Sequence, residues 1–405
     1  MDVVWLVGGT VVYIVLGRAI VRMRSGTLRD ALFAILNIAG VFALFFRIGP
    51  LGPVLIYSCY VVLAVVQHRV LRVWGVTAAA FFVPIAALIV VKSVLALDPA
   101  WALPGDRPIV PMLAALIGIS YFAFRTSYLA LEVRNGVVAM PTVWQYLGFC
   151  FFAPTMAVGP IGHYSVFRRS FGSPMGDASI PWSRAALRLL VGVVKYRFLA
   201  GMLDQLTYSG LMLDGHPHHW IDLGIAAVAY YLFLYCNFSG FCDMAIGAAG
   251  LMGIAVEENF DRPFAARNVR DFWNRWHITL STYMRDVVFT PMSKFVARRL
   301  GPGSANHAAA PGIVAVFLLI GVWHGLAWHY LAFGAMHAAG VTITHYYTLA
   351  LKKRLGREGF AAYNRNPWIK AAAVAVTFVF VTVSYSLFAN EFADIRTMLA
   401  ALRWS

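Results

Sequence analysis

Apolar runs recur along this chain from end to end, at 3–20, 31–46, 54–66, 76–91, 109–124, 143–158, 185–203, 223–238, 244–256, 312–331, 332–349 and 371–388. With their flanks, most approach the ~17–25 residues that a helix needs to cross a bilayer. The pattern predicts roughly eleven or twelve transmembrane or re-entrant helices. Pro84, Pro111, Pro154 and Gly159-Pro160-Ile161-Gly162 interrupt some of these runs. In lipid, irregular backbone persists only where protein or a water-filled cavity covers it. The Gly159–Gly162 stretch therefore reads either as a broken segment beside a cavity or as an ordinary helix end. Two polar regions, 163–184 and 257–299, break the apolar pattern, and no internal repeat separates a second domain. Residues 1–405 read as one integral-membrane domain.

Composition fixes the class. Of 405 residues, 60% are hydrophobic and 13% charged, against about a quarter charged in soluble proteins. The expectation is an all-α polytopic membrane protein. The net charge of +15 follows from the Lys and Arg that collect in cytoplasmic loops. These residues are scattered among loops with no basic domain to hold a duplex, so no nucleic acid is expected as a partner. By the same bias, 257–299 and Lys352-Lys353-Arg354 face the cytosol, and the Lys- and Arg-free loop from Leu213 to Trp220 faces outward. The run 3–20, with Arg18 near its end and Arg22, Arg24 and Arg29 after it, reads as a first span with its N-terminus outside. The four cysteines lie in apolar segments without ligand spacing and read as small buried hydrophobes. His216, His218 and His219 lack supporting thiolates or a carboxylate pair, and no metal is expected.

Two histidines carry the candidate chemistry. His324 stands in Gly-Val-Trp-His-Gly behind an unbroken apolar run. A helix starting near Pro311 would carry it roughly 20 Å into a layer ~30 Å thick. An ionisable group at that depth is costly and by default functional; a core histidine satisfied by carbonyls is the competing reading. His277 lies in Asp271-Phe-Trp-Asn-Arg-Trp-His-Ile-Thr-Leu-Ser281. Read as one helix from Phe272, that stretch puts Asn274, His277, Ser281 and Arg285 on one face, and Trp273, Trp276 and Leu280 on another. It could line a cytosolic entrance, or be an interfacial helix whose histidine only caps. His329 and His337 are weaker candidates; on a continuous helix the rings of His324 and His329 would point about 140° apart. Asp204, Glu132 and Asp243 are carboxylates in apolar context, each equally readable as a packed polar group. There is no Gly-x-Ser-x-Gly turn, Walker loop or His-Glu-x-x-His helix. A neutral imidazole, its basicity lowered by burial, is suited to act as general base on a hydroxyl that attacks an activated acyl carbon.

Asp271–Ser281 with Arg285-Asp286, and Gly321-Val-Trp-His-Gly325 with Tyr330 and Gly334, resemble the membrane-bound O-acyltransferases. So do the segments Leu234–Gly247, Glu258-Asn-Phe-Asp-Arg-Pro-Phe264, Gly118-Ile-Ser-Tyr-Phe122 and Pro154 with Gly159-Pro160. The likeness covers a motif-bearing core of about 109–340. It implies a ring of tilted helices around a thin centre with a central tunnel. It gives His324 the catalytic position and His277 a supporting one near the cytosolic mouth. Asn274, Trp323, Arg275 and Ser281 would support the site or line the donor mouth, and Arg267, Arg270 and Arg275 could meet phosphates there. The donor would be acyl-CoA or an acyl-carrier-protein phosphopantetheine thioester, with no tightly bound cofactor. The acceptor would be a cell-envelope glycan, or an extracytoplasmic partner protein that takes the acyl group first. The resemblance also implies a multi-pass protein of the bacterial inner membrane, in contact with membrane lipid. The leading expectation is acetyl transfer to envelope polysaccharide, as in the alginate branch; D-alanyl transfer, as in the teichoic-acid branch, is the alternative. The stretch Phe124-Arg-Thr-Ser-Tyr128 departs from both branches in placing Arg at 125. From another class, a proton-coupled transporter using His324 as a relay remains open.

Overall fold

The computed structural model describes residues 3–45, 51–75, 77–97, 118–171, 180–301, 303 and 305–402. The described residues form helices and loops, with no named strand among them. The apolar stretch expected at 109–124 lies outside the described residues as far as 117, and the polar region 163–184 lies outside them over 172–179.

Two contact units interleave along the chain, residues 1–193 with 240–258, and 194–239 with 259–405. The first unit contains α1 (Val3–Val21), α2 (Thr27–Phe45), α3 (Leu51–Arg69), α4 (Thr77–Leu97), α5 (Ile119–Arg134), α6 (Val143–Cys150), α7 (Tyr164–Phe171) and α8 (Trp182–Val193). It packs around Phe33, whose ring lies 4.6 Å from Phe171 and 6.0–6.1 Å from Phe167 and Phe152. Helix α6 opens with a reciprocal cap between Thr142 and Gln145. It ends at Cys150, and the chain runs irregularly through Gly159–Gly162 before α7. Helix C-termini leave carbonyls without partners, and here a buried cation takes them. Arg125, 1% exposed, donates to the carbonyls of Phe149, Cys150 and Thr155. The unusual arginine thus fastens the broken segment, where irregular backbone is covered by protein. The carboxylates of this unit are also engaged. Glu132 accepts the backbone N–H groups of Tyr164 and Ser165, Asp243 pairs with Arg188 at 3.0 Å, and Glu258 pairs with the same guanidinium. Asp204, in the second unit, is exposed.

The second unit contains α9 (Ala200–Asp204), the first part of α10 (Trp220–Met252), α11 (Val269–Trp273), α12 (Ile278–Met284), α13 (Thr290–Leu300) and α14 (Ala305–His324). It continues with α15 (Trp328–Arg365), α16 (Pro367–Ala389) and α17 (Phe392–Ala401). Helix α15 is interrupted at Gly356, where φ is 64°. Trp220–Met252, Asn306–His324 and Pro367–Ala389 are long and apolar enough to cross a membrane. They leave Val314, Leu318, Leu319, Val376, Val379 and Val383 exposed, as lipid-facing helices do and soluble proteins avoid in large patches. The protein is an all-α polytopic membrane protein.

Candidate active site

Helix α14 begins at Ala305 rather than near Pro311, which lies inside it. Over the 19 residues from Asn306 to His324 the rise is ~28 Å. His324 therefore stands at the end of a span and not part-way along it. The helix stops there; Gly325-Leu326-Ala327 is non-helical before α15 starts at Trp328. His324 and His329 thus sit on different helices, and the angular relation expected for one continuous helix does not apply. Glycines set the spacing of α14 and α15. A Cβ at Gly321 would lie 2.5 Å from the carbonyl oxygen of Tyr330, and one at Gly334 would strike that of Phe317. With no side chain at either position the backbones approach closely, as small residues allow between membrane helices. This brings Tyr330 to the His324 ring.

His324 is half-buried among aromatic rings: Trp323 at 4.5 Å, Phe388 edge-on at 4.7 Å and Tyr330 at 6.0 Å between centroids. The Trp323 ring also lies 6.4 Å from that of His277. The indole thus neighbours both histidines that the sequence singles out.

His277 does not sit within a helix. The chain folds as α11, a turn through Asn274–Trp276, and α12, with His277 at the junction in the left-handed region (φ 45°, ψ 51°). Left-handed backbone is uncommon without glycine, although His tolerates it better than most residues. The face expected to join Asn274, His277, Ser281 and Arg285 therefore does not exist, nor does that of Trp273, Trp276 and Leu280. The break turns Asn274 into solvent and His277 inward, 5% exposed. Ser281, one turn into α12, has a buried hydroxyl with no hydrogen-bond partner among the described residues.

What replaces the missing cap is Asn259. Its backbone carbonyl accepts the N–H of Ile278 at 3.1 Å. Its side-chain oxygen accepts the N–H of Thr279 at 3.2 Å and the Thr279 hydroxyl at 2.9 Å. The same oxygen lies 3.1 Å from Nδ1 of His277. Phe260 pairs antiparallel with Trp276, and the Asp261 N–H reaches the Arg275 carbonyl, so 259–261 runs beside 275–278. The His277 ring also meets Phe238 edge-on at 4.8 Å. Burial among such groups pulls the imidazole from 6.5 down to about 3, which keeps it neutral at physiological pH. The sequence marks the Asn259–Phe264 segment but gives Asn259 no role; a helix-breaking left-handed residue was the signal missed.

His337 is buried and fully engaged. Trp273 donates its indole N–H to Nδ1 at 3.1 Å, and Nε2 lies 2.9 Å from the Ser384 hydroxyl, which itself donates to Val381. Since that hydroxyl proton is used, Nε2 carries the hydrogen. This chain of bonds links α11, α15 and α16. His329 faces the Leu387 carbonyl at 2.9 Å.

Arg267, Asn268, Arg270, Asp271, Asn274 and Arg275 line an open cleft of about 330 Å³. Within it, Arg275 is already paired with Asp271 at 2.9 Å and Asp261 at 3.6 Å. Arg267 and Arg270 are exposed; the Asp271 carboxylate accepts the Arg267 backbone N–H, but neither guanidinium has a carboxylate partner among the described residues. The three arginines named for phosphate contact thus differ in pairing, Arg275 being held in ion pairs. Asn274 belongs to this cleft and not to the histidine cluster. In the loop from Leu213 to Trp220, His216 and His218 pair with Asp214, and no group of three metal-ligating side chains occurs among the described residues.

A span ending on an imidazole ringed by aromatics, with a second imidazole near the same indole and a cationic cleft on the same unit, describes a helical membrane protein with a candidate catalytic centre. The chain belongs to the membrane-bound O-acyltransferase (MBOAT) family, whose profile matches residues 73–384. Among its relatives, a teichoic acid D-alanyltransferase of Bacillus subtilis is 31% identical over 291 residues, 69% of this chain and 70% of the relative. Another from Streptococcus thermophilus is 30% identical over 289 residues, 69% of each chain. A probable alginate O-acetylase of Pseudomonas aeruginosa is 28% identical over 278 residues, 68% of this chain but 49% of the relative. The resemblance read from the motifs holds, and the protein is an acyltransferase; nothing in these findings supports the transporter alternative.

Proposed function

We propose that this chain, as one catalytic domain of a bacterial inner membrane, moves a small acyl group from a cytosolic thioester to a hydroxyl of a cell-envelope polysaccharide. Acetyl is the first reading. His324 acts as general base. It takes the proton of the acceptor hydroxyl as that oxygen bonds to the thioester carbonyl carbon; the C–S bond then breaks, and the imidazolium returns the proton to the departing thiolate. Such assistance is typically worth ~10²–10⁴ in rate. His277 and Trp323 support His324, and Ser281, whose buried hydroxyl has no partner among the described residues, stands in α12 just after His277. The observation that carries this assignment is the Trp323 indole, whose ring lies 4.5 Å from that of His324 and 6.4 Å from that of His277.

The cleft of Arg267 and Arg270 would receive the phosphate of the donor, acyl-CoA or a carrier-protein phosphopantetheine, through charge-assisted hydrogen bonds. Arg275 and Asn274 shape that cleft, and Arg275 does so as an ion-paired group. A second reading, D-alanyl transfer from a carrier-protein thioester to a teichoic-acid-like polymer, is favoured by one observation. The D-alanyltransferases match over 69–70% of their length and the acetylase over 49%. An extracytoplasmic partner protein could take the group before the polymer in either case.

Mass spectrometry of envelope polymers from cells with and without the protein tests this. Loss of ester-linked acetyl supports the first reading and loss of ester-linked D-alanine the second. An unchanged ester content overturns both.

A further inference from the structure

The orientation of His277 has an identifiable cause. The backbone N–H of Thr279 can only donate, so the Asn259 amide atom facing it is the oxygen. That oxygen also receives the Thr279 hydroxyl. An acceptor-only oxygen at 3.1 Å from Nδ1 of His277 requires that Nδ1 carry the hydrogen. The ring is neutral, so Nε2, directed away from Asn259, holds the lone pair.

We propose that Asn259 is a positioning residue of the acyl-transfer site, which fixes His277 as the tautomer whose Nε2 accepts a hydrogen bond from substrate. The substrate groups that fit are an O–H or N–H donor, the acceptor hydroxyl or an amide of the pantetheine arm. An imidazole set this way cannot donate to the thioester oxygen. Two features of Asn259 serve this arrangement. Its backbone and side chain together cap α12, a task that the residue at the N-cap usually performs with its own side chain. His277 therefore keeps its ring out of capping, and the left-handed backbone at 277 aims that ring inward. This inference rests on the proposed role of His277.

Asn259→Asp separates tautomer control from capping. A carboxylate accepts the same three hydrogens, so the cap is retained. Its charge beside Nδ1–H favours the protonated ring and raises the pKa of His277. The neutral fraction then falls first at acid pH. Thiol release from acetyl-CoA and from a D-alanylated carrier protein would be followed in membranes bearing each variant between pH 5.5 and 9. For Asn259→Asp, the expected result is near-normal activity at the alkaline end and a ratio of activity at pH 5.5 to pH 8.5 lowered about twofold or more. Asn259→Leu removes the acceptor and should lower kcat about tenfold or more with a smaller change in KM. An Asn259→Asp protein whose pH profile overlays the wild type, or which is folded yet inactive at every pH, overturns the proposal. His277→Ala distinguishes the two levels. If it loses transfer while the Asn259 variants do not respond as stated, only the positioning role fails; if it retains full transfer, the reading of His277 fails and takes this proposal with it.

Discussion

Replacing His337 by alanine should damage the fold and not the chemistry, the reverse of what His324→Ala should do. His337 is fully buried, and its ring lies 4.5–6.3 Å from those of Phe333, Trp273, Phe380, Phe317 and Phe272. Truncation leaves the Trp273 indole N–H without its acceptor, about 1–3 kcal/mol for an unsatisfied buried donor. It also opens a cavity of most of an imidazole, where large-to-small core changes cost about 2–5 kcal/mol. The two overlap, so a loss of about 3–5 kcal/mol is expected. His324 is only half-buried and closes its helix, so truncation there should cost about 1–2 kcal/mol. The assay pairs the thermal unfolding midpoint in detergent with acyl transfer per folded molecule. His337→Ala should unfold several degrees lower and transfer at a normal rate once folded. Ser384→Ala, which removes only the hydroxyl facing Nε2, should give the same pattern at about 1 kcal/mol. A His337→Ala protein with an unchanged midpoint but no transfer would refute the reasoning and move the chemistry to His337.

Acid should weaken the fold through His277. Its folded pKa of about 3 lies below the unfolded 6.5, so the unfolded chain binds the extra proton between these values. The contribution is complete above about pH 6.5 and falls by up to about 1.4 kcal/mol per unit as pH drops toward 3; chemical denaturation at pH 7 and pH 5 should show His277→Gln with a shallower dependence than the wild type. Gly321→Val or Gly334→Val should push α14 from α15 and move Tyr330 off His324. The expected result is expressed protein with transfer reduced more than tenfold, and normal activity would show that the close approach is dispensable. Arg267→Ala with Arg270→Ala should raise KM for the thioester about tenfold, flatten its dependence on salt and leave kcat nearly unchanged. Unchanged KM would remove the cleft from the donor path.

Much of the architecture was legible because lipid imposes a one-dimensional code. Long apolar runs such as those of α10, α14 and α16 must become helices, since no other open backbone satisfies its hydrogen bonds in hydrocarbon. His324 stood out as an ionisable group behind an apolar run, although the helix starts earlier than the pattern suggests and ends on it. The stretch from Phe272 to Arg285 does not form the single helix its spacing suggests, because periodicity carries no information about a left-handed residue. The turn at His277 depends on Asn259, 18 residues earlier, a tertiary constraint that outweighs local pattern. Pairing was equally hidden. Arg275 and Arg267 look alike in sequence, and only the structure places Asp261 and Asp271 on one of them. Arg125 was visible as an oddity, but its use became apparent only when the carbonyls of Phe149, Cys150 and Thr155 were seen to converge on it.

The most direct test uses cells in which the native protein is replaced by the His324→Ala variant. Protein level and detergent behaviour are checked first, and ester-linked acyl groups on the envelope polymers are then quantified by mass spectrometry. General-base catalysis by His324 predicts normal abundance with the acyl ester reduced to the level of cells lacking the protein. Esters at the wild-type level, from a variant present in normal amount, would contradict it.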